Sequence, residues 1–249
     1  MKKIKNTTKA ILVPVDFKEH AVKAINYAKR LAEEINGSIH LLHVIGYESW
    51  WAEVITDTKE MRKLSRKALN KLTEIKYQYK LDEDTEIRVE SGRRYEKILE
   101  YANKLNPRFI ILADNYPFSR NKKILGSTVT RVVTEACQPV ITLSDPIDTV
   151  LKDIILPLDL TQNVRLKLFN SVSFALNFDA RIHLVSFLSD TSEKVNKTIE
   201  QKLEKFRRTY DENGIEYTTK LLSKKDTFAY REVLDYADSE TADSILVMT

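Results

Sequence analysis

Lys9–Phe17 reads KAILVPVDF, and Lys152–Leu160 reads KDIILPLDL. Both are short apolar runs that end in Pro-x-Asp, and Pro14 and Asp16 are answered by Pro157 and Asp159 at one spacing, 143 residues (157 − 14, 159 − 16). An unbroken apolar run of this length, without polar alternation, is what a parallel strand buried on both faces requires. The fold therefore turns on whether the segments after each run also repeat.

After the first run, Ala21, Ile25, Ala28, Leu31, Ala32 and Ile35 recur at helical spacing, with Gly37 as the stop, and SIHLLHVI at 38–45 returns to a strand. Two strands joined by a helix of this length form a right-handed βαβ unit. The pattern continues with a long amphipathic helix over 57–80, a modest strand TEIRVE, a turn at Gly92 and the helix YEKILEYANKL. The strong strand RFIILAD, the helix STVTRVVTEAC and the strand PVITLS complete the copy.

The second run repeats the order. Ile39, His40 and Leu41 match Ile182, His183 and Leu184, again 143 apart (182 − 39), whereas ILEYA at 98–102 matches VLDYA at 233–237, 135 apart (233 − 98). Eight residues (143 − 135) are thus lost between the second strand and the third helix. Matched residues at matched spacings indicate duplication, which a generic α/β alternation would not produce. The expected architecture is two tandem open parallel five-stranded sheets flanked by helices, Rossmann-like, with domains at 8–145 and 151–249. Thr249 corresponds to Asp114 (249 − 135), so the second copy lacks its last helix and strand in this chain, which reads as a truncation or else as a degenerate domain with an exposed sheet edge, truncation being favoured because a bare edge is normally avoided.

The 249 residues carry 40 basic and 36 acidic side chains, mixed along the same segments, so no basic stripe suggests a nucleic-acid partner. The basic N-terminal decapeptide precedes no apolar leader core, and the apolar runs are strand-length, which argues against export and membrane spanning. Cys137 stands alone and reads as a buried core residue; with no intrachain disulfide available, a cytoplasmic location is expected. His40 and His43, three apart on a strand, point to opposite faces and make a poor metal pair, and His40 and His183 read as satisfied sheet residues. No metal is expected. G-x-S-x-G is absent, so no nucleophilic catalyst is indicated, and no glycine follows the first strand as the dinucleotide fingerprint requires. A phosphoacceptor receiver layout also fails, because Phe17 follows Asp16 and Ser144 ends the fifth strand. Trp50 and Trp51 read equally as a stacking or interface pair and as a loop anchor on the sheet rim.

In an open parallel sheet, ligands bind beyond the carboxyl ends of the strands, where strand order reverses. Asp16 and the loop from Asp114 to Gly126 occupy that rim. In ILGSTVTRV, Gly126 permits close backbone approach and Ser127 with Thr128 opens a helix able to hold an anion, although Ser127 also reads as a plain N-cap. Asp16 and Asp159 likewise read as caps of the turn that follows each strand. Pro14 and Pro157 mark a bulge or the last paired strand position.

ILVPVDF, HAVKAINYAKRLAEEI, IHLLHVI and FIILAD…ILGSTVTRVVTEACQPVITL together resemble the universal stress protein family, in a tandem form that covers nearly the whole chain. Nucleotide-binding members hold ATP with an Asp ending the first strand and a loop of pattern G-x2-G-x9-G-[ST]. The resemblance implies a stress-response binding module, with ATP (with Mg) or another adenine nucleotide held in the first domain by Asp16, Val44, Gly126, Ser127 and Thr128, and Asp159 marking a second site. It also implies an intrachain pseudo-dimer of the two domains, with a homodimer as a further assembly. The pattern's first two glycines fall at Ala113 and Tyr116, while Arg120, Lys122 and Lys123 of the same loop offer positive charge or a merely solvated surface. Two other readings stay open: weak ATPase activity at the same rim, and an interaction scaffold that binds no nucleotide, which Ala113 and Tyr116 favour.

Overall fold

The computed structural model describes residues 8–46, 58–113, 126–143, 151–188, 192–223 and 229–247. It divides into two compact units, Met1–Asp148 and Thr149–Thr249. The first contains β1 (Ile11–Pro14), α1 (Ala21–Ile35), β2 (Ile39–Gly46), α2 (Thr58–Gln78), β3 (Glu86–Gly92), α3 (Arg94–Leu105), β4 (Phe109–Ala113), α4 (Ser127–Glu135) and β5 (Val140–Leu143). All its strand pairs are parallel, in the order β3-β2-β1-β4-β5.

The second unit contains β6 (Asp153–Leu158), α5 (Arg165–Phe178), β7 (Arg181–Leu188), α6 (Glu193–Glu212), β8 (Tyr217–Ser223), α7 (Ala229–Ser239) and β9 (Ser244–Ile245). Its sheet is also parallel, in the order β8-β7-β6-β9. Among the described residues it has four strands, and nothing corresponds to α4 and β5.

The registers superimpose the two copies. Ile11 pairs with Ile39 and with Phe109, and Ile154, 143 residues on (154 − 11), pairs with Ile182 and Ser244. His40 faces Glu86, and His183 faces Thr218. The offset is thus 132 at the third strand (218 − 86) and 135 at the fourth (244 − 109). The net loss of eight residues resolves into eleven removed before the third strand (143 − 132) and three added after it (135 − 132).

Strand alternation sorts the core of the first unit into two faces. Leu12, Leu42, Val44, Ile110 and Leu112 pack with Ile98, Tyr101 and Ala102 of α3 and with Val129 and Val132 of α4. The other face, with fully buried Ile11, Val13 and Leu41, is covered by α1, whose inward stripe includes Ala24, Ile25, Ala28 and Leu31. Helix α1 ends on Asn36, in the left-handed conformation at φ 49, and Asp179 ends α5 at the same φ. The expected stop, Gly37, is the residue after the cap. It is required for a different reason: a Cβ there would lie 2.2 Å from the Lys9 carbonyl oxygen.

One cluster around a buried histidine is written twice. His40 meets the Tyr101 hydroxyl at 3.2 Å, and the Arg88 guanidinium lies over the Tyr101 ring at 4.9 Å. In the second unit His183 meets Tyr236 edge-on at 6.4 Å, and Lys220 lies 5.8 Å from that ring. His40 also reaches Glu86, and His183 reaches Thr218 at 2.9 Å and Asp153 at 3.4 Å. Both imidazoles are buried with partners, as expected for sheet residues that close a core.

Candidate functional site

The sheet of the first unit reverses its order between β1 and β4, and there the two strands part. Alternate backbone N–H groups of a strand serve opposite neighbours: Ile11 and Val15 donate to β2, through Ser38 and Leu42 carbonyls at 2.8 Å, so Leu12 and Pro14 face β4. Pairing between β1 and β4 stops at Leu12 with Ile110, because Pro14, the next residue facing β4, has no N–H to give. Pro14 is the last residue of β1, one of the two positions expected for it. Pro157 likewise faces β9, and pairing of β6 with β9 stops at Ile155. In both copies the proline opens the crevice at which an α/β sheet binds ligands.

Asp16 stands at this crevice. Its carboxylate accepts from the Lys18 N–H at 3.1 Å and lies 3.2 Å from His20 Nε2 and 3.9 Å from Lys18 Nζ, with the side chain 37% exposed. Its turn-capping reading is therefore correct, and it leaves the carboxylate partly open to solvent. Val44, buried in β2, belongs to the apolar cluster beneath the rim, with Leu112 and Val129. Gly126 occupies the N-cap of α4 at φ −56 and ψ 146, its carbonyl accepting from the Thr130 N–H at 2.9 Å. Ser127 is the first helical residue, exposed, rather than the cap, and Thr128 is half-buried. Gly126 has no side chain with which to cap the first-turn N–H groups of α4. Ala113 ends β4, paired with Leu143. Tyr116, Arg120, Lys122 and Lys123, like Trp50 and Trp51, lie outside the described residues.

Three features of this rim have no signal in the spacing of residues. Phe17, directly after Asp16, is held at φ 61, a conformation side chains other than Gly, Asn and Asp seldom adopt. Its ring stacks on His43 at 4.1 Å, and Lys71 of α2 lies 5.2 Å from its centroid. His43 Nδ1 donates to the Val15 carbonyl at 2.7 Å, a partner that can only accept and so sets the tautomer. Burial lowers the His43 pKa, against the pull of the Val15 carbonyl, with Arg94 and Lys71 adding to the lowering. Arg94, the first residue of α3, rests its guanidinium over Gly46 at the end of β2, where a Cβ would lie 2.7 Å from Arg94 Cζ. The rim thus carries two cations, both on exposed side chains, that recognition of Asp16 and Gly126 alone does not find.

The second unit treats its aspartate differently. Asp159 accepts from both the N–H and the hydroxyl of Thr161, and chiefly through that hydroxyl its carboxyl is held below the ordinary carboxylate range. A cavity of about 390 Å³ in this unit lies between the loop after β6 and helices α5 and α6, lined by Thr161, Gln162, Arg165, Lys202 and Phe206. Among the described residues no group of three or more His, Cys, Asp or Glu could hold a metal ion, and no helix is long and apolar enough to cross a membrane. The expectation of a buried Cys137 is corrected. Cys137 is exposed, because α4 ends at Glu135 and it is Ala136 that turns inward onto the core cluster.

Two open parallel sheets flanked by helices, each with a proline-parted crevice at the strand-order reversal, define a tandem Rossmann-like α/β protein. Residues 7–144, more than half of the chain, match the model of the Universal stress protein family, and the chain belongs to that family. A universal stress protein of Archaeoglobus fulgidus DSM 4304 is similar in structure, with a TM-score of 0.71 and 18% identity, over 96% of this chain and 86% of that one. A functionally unknown protein of Pseudomonas aeruginosa PAO1 is similar at a TM-score of 0.58 and 17% identity, over 96% and 80% of the two chains. At these identities the likeness shows the fold, and it extends over both units.

Proposed function

We propose that the first unit is a binding module for an adenine nucleotide and that the second has given up its site. The observation that carries this reading is the parting of β1 from β4 at Pro14, with the partly exposed Asp16 carboxylate just beyond the end of β1 and the N-terminus of α4, the helix that follows β4, at the same end of the parallel sheet. In this reading Asp16 accepts hydrogen bonds from hydroxyl or amine groups of the ligand. The N–H groups of Gly126, Ser127 and Thr128 receive phosphate oxygens, and Val44 supplies the apolar floor. Lys71 and Arg94 raise the positive potential at the rim. No chelating cluster is present among the described residues, so Mg2+ would arrive with the triphosphate. Among the described residues nothing in the rim pairs a nucleophile with a base, and the module is read as binding its ligand without turning it over.

Asp159 does not complete a second site in this reading, because Thr161 already saturates its inner oxygen. The competing scaffold reading rests on Ala113, whose methyl occupies a position where close phosphate approach favours glycine. Thermal shift with Mg-ATP separates them, since a ligand at 100 times its dissociation constant stabilises by about 2.7 kcal/mol. Stabilisation that Asp16→Ala weakens by roughly tenfold in affinity, and that Asp159→Ala leaves unchanged, supports the nucleotide module. Absence of any shift at millimolar Mg-ATP leaves the scaffold.

A further inference from the structure

Helices α1 and α5 occupy the same place in the two copies, 143 residues apart, and their inner faces agree. Ile25, Ala28, Ala32 and Ile35 of α1 correspond to Leu168, Ser171, Ala175 and Phe178 of α5, and all eight are buried. Their outer faces differ in kind. Where α1 carries Lys23, Asn26, Arg30 and Glu33, α5 carries Leu166, Phe169, Ser173 and Leu176. Leu166 is 66% exposed, Phe169 61% and Leu176 56%. A single exposed leucine needs no explanation, but positions 166, 169, 173 and 176 fall at helical spacing and form one stripe roughly 15 Å long, apolar except for Ser173. Duplication supplied a polar outer face as the alternative, and the second copy does not keep it.

The stripe is complementary to itself. Two such helices packed antiparallel about a two-fold axis level with position 171 set Leu166 against Leu176 of the other copy, and Phe169 against Ser173. A large ring thus meets a small side chain, twice, which is the alternation an isologous interface needs. Charge agrees: exposed Arg165 begins the helix and exposed Asp179 ends it, and in this register Arg165 stands level with position 177 of the other copy, roughly 3 Å along the axis from Asp179 and within reach of an arginine side chain, with the helix dipoles opposed.

We propose that the outer face of α5 is the interface between two copies of this chain. One helix pair falls short of the roughly 800 Å² per partner of a standard interface, so the dimer is concentration-dependent and dissociates in the micromolar range. The test is sedimentation equilibrium of the full chain from about 1 to 200 μM. The mass is expected to rise from 28.9 kDa toward twice that value. Phe169→Asp and Leu176→Lys, both at exposed positions, are each expected to raise the dissociation constant by at least roughly tenfold while circular dichroism and Tm stay those of the parent. Arg165→Glu and Asp179→Arg each weaken the dimer, and the double variant restores it. A chain that stays at 28.9 kDa throughout leaves the face to some other partner and overturns the proposal. A dimer indifferent to Phe169→Asp and Leu176→Lys overturns it as well.

Discussion

The Tyr210 hydroxyl donates to Ser171 Oγ at 2.7 Å, and both residues are completely shielded from solvent in the core of the second unit. Ser171 in turn donates to the Leu168 carbonyl at 2.9 Å, so the pair closes its own hydrogen-bonding account. Burial drives the Tyr210 pKa up to about 12, with the Ser171 bond acting against it. The chain is directional, and so are its mutants. Tyr210→Phe leaves Ser171 still bonded to Leu168 and is expected to cost about 1 kcal/mol, whereas Ser171→Ala strands a buried phenol and is expected to cost about 1–3 kcal/mol. Urea unfolding of the two variants checks the order, and equal costs would contradict it.

Gly37 sits beside a backbone oxygen that cannot move aside. A Cβ at 2.2 Å from the Lys9 carbonyl forces the chain between α1 and β2 away from the segment entering β1. Gly37→Ala is expected to destabilise by about 1–3 kcal/mol or more. Gly214→Ala is the control: nothing lies within 4 Å of a Cβ there, and only the left-handed backbone at φ 65 opposes it, at about 1–2 kcal/mol. Denaturant melts should rank Gly37→Ala below Gly214→Ala in stability.

The duplication was legible because the residues it conserves are those that backbone geometry constrains. Pro14 and Pro157 end pairing toward the fourth strand, Asp16 and Asp159 cap the turns, and His40 and His183 hold one register. Spacing reports such positions directly. What spacing does not report is a contact made by side chains from distant elements. Phe17 on His43, Lys71 over Phe17 and Arg94 over Gly46 join segments tens of residues apart with no shared period. Compensating changes are hidden too, since eleven residues removed and three added look like eight. Cys137 illustrates a third kind of failure, in which a small residue beside a strand looks like core until the helix end decides which neighbour turns inward.

That exposure makes a simple prediction. One equivalent of maleimide should react with Cys137 in the native chain without denaturant, since it is the sole thiol. Labelling only after unfolding would contradict its placement.

His40 and His43 both have pKa values lowered from 6.5, in each case first by burial. For His40 the neighbouring Glu86 and Asp84 oppose the shift without reversing it. The unfolded chain therefore binds more protons than the folded one between 6.5 and the lowered values, and stability rises with pH through that window. The contribution is fully present above 6.5 and is lost as pH falls through the folded pKa values. His43→Gln, which keeps an N–H for the Val15 carbonyl, is expected to flatten this dependence. Imidazole proton shifts followed by NMR should titrate below 6.5 for both residues, and a value above it for either would refute the assignment.

Asp159 gives the opposite ionisation with the same sign of pH dependence. Its carboxyl is held below the ordinary value of 3.8, chiefly by the Thr161 hydroxyl, so its stabilisation is present above that value and is lost as pH falls through the lowered one. Thr161→Val removes the largest cause while retaining the backbone N–H bond at 3.0 Å. The Asp159 titration, read from the side-chain carboxyl carbon, is expected to move up toward 3.8. Because the carboxylate is exposed, solvent screening keeps the accompanying loss of stability at neutral pH below about 1 kcal/mol, and the loss vanishes in acid once Asp159 is protonated in both proteins. The same substitution frees one of the two acceptor positions on Asp159 Oδ1 that Thr161 now occupies. If the first unit binds nucleotide and the second does not because of that occupation alone, Thr161→Val should create a second, weaker Mg-ATP site. A stoichiometry that stays at one per chain assigns the silence of the second unit to its crevice, where no counterpart of α4 stands among the described residues to supply N–H groups for phosphate.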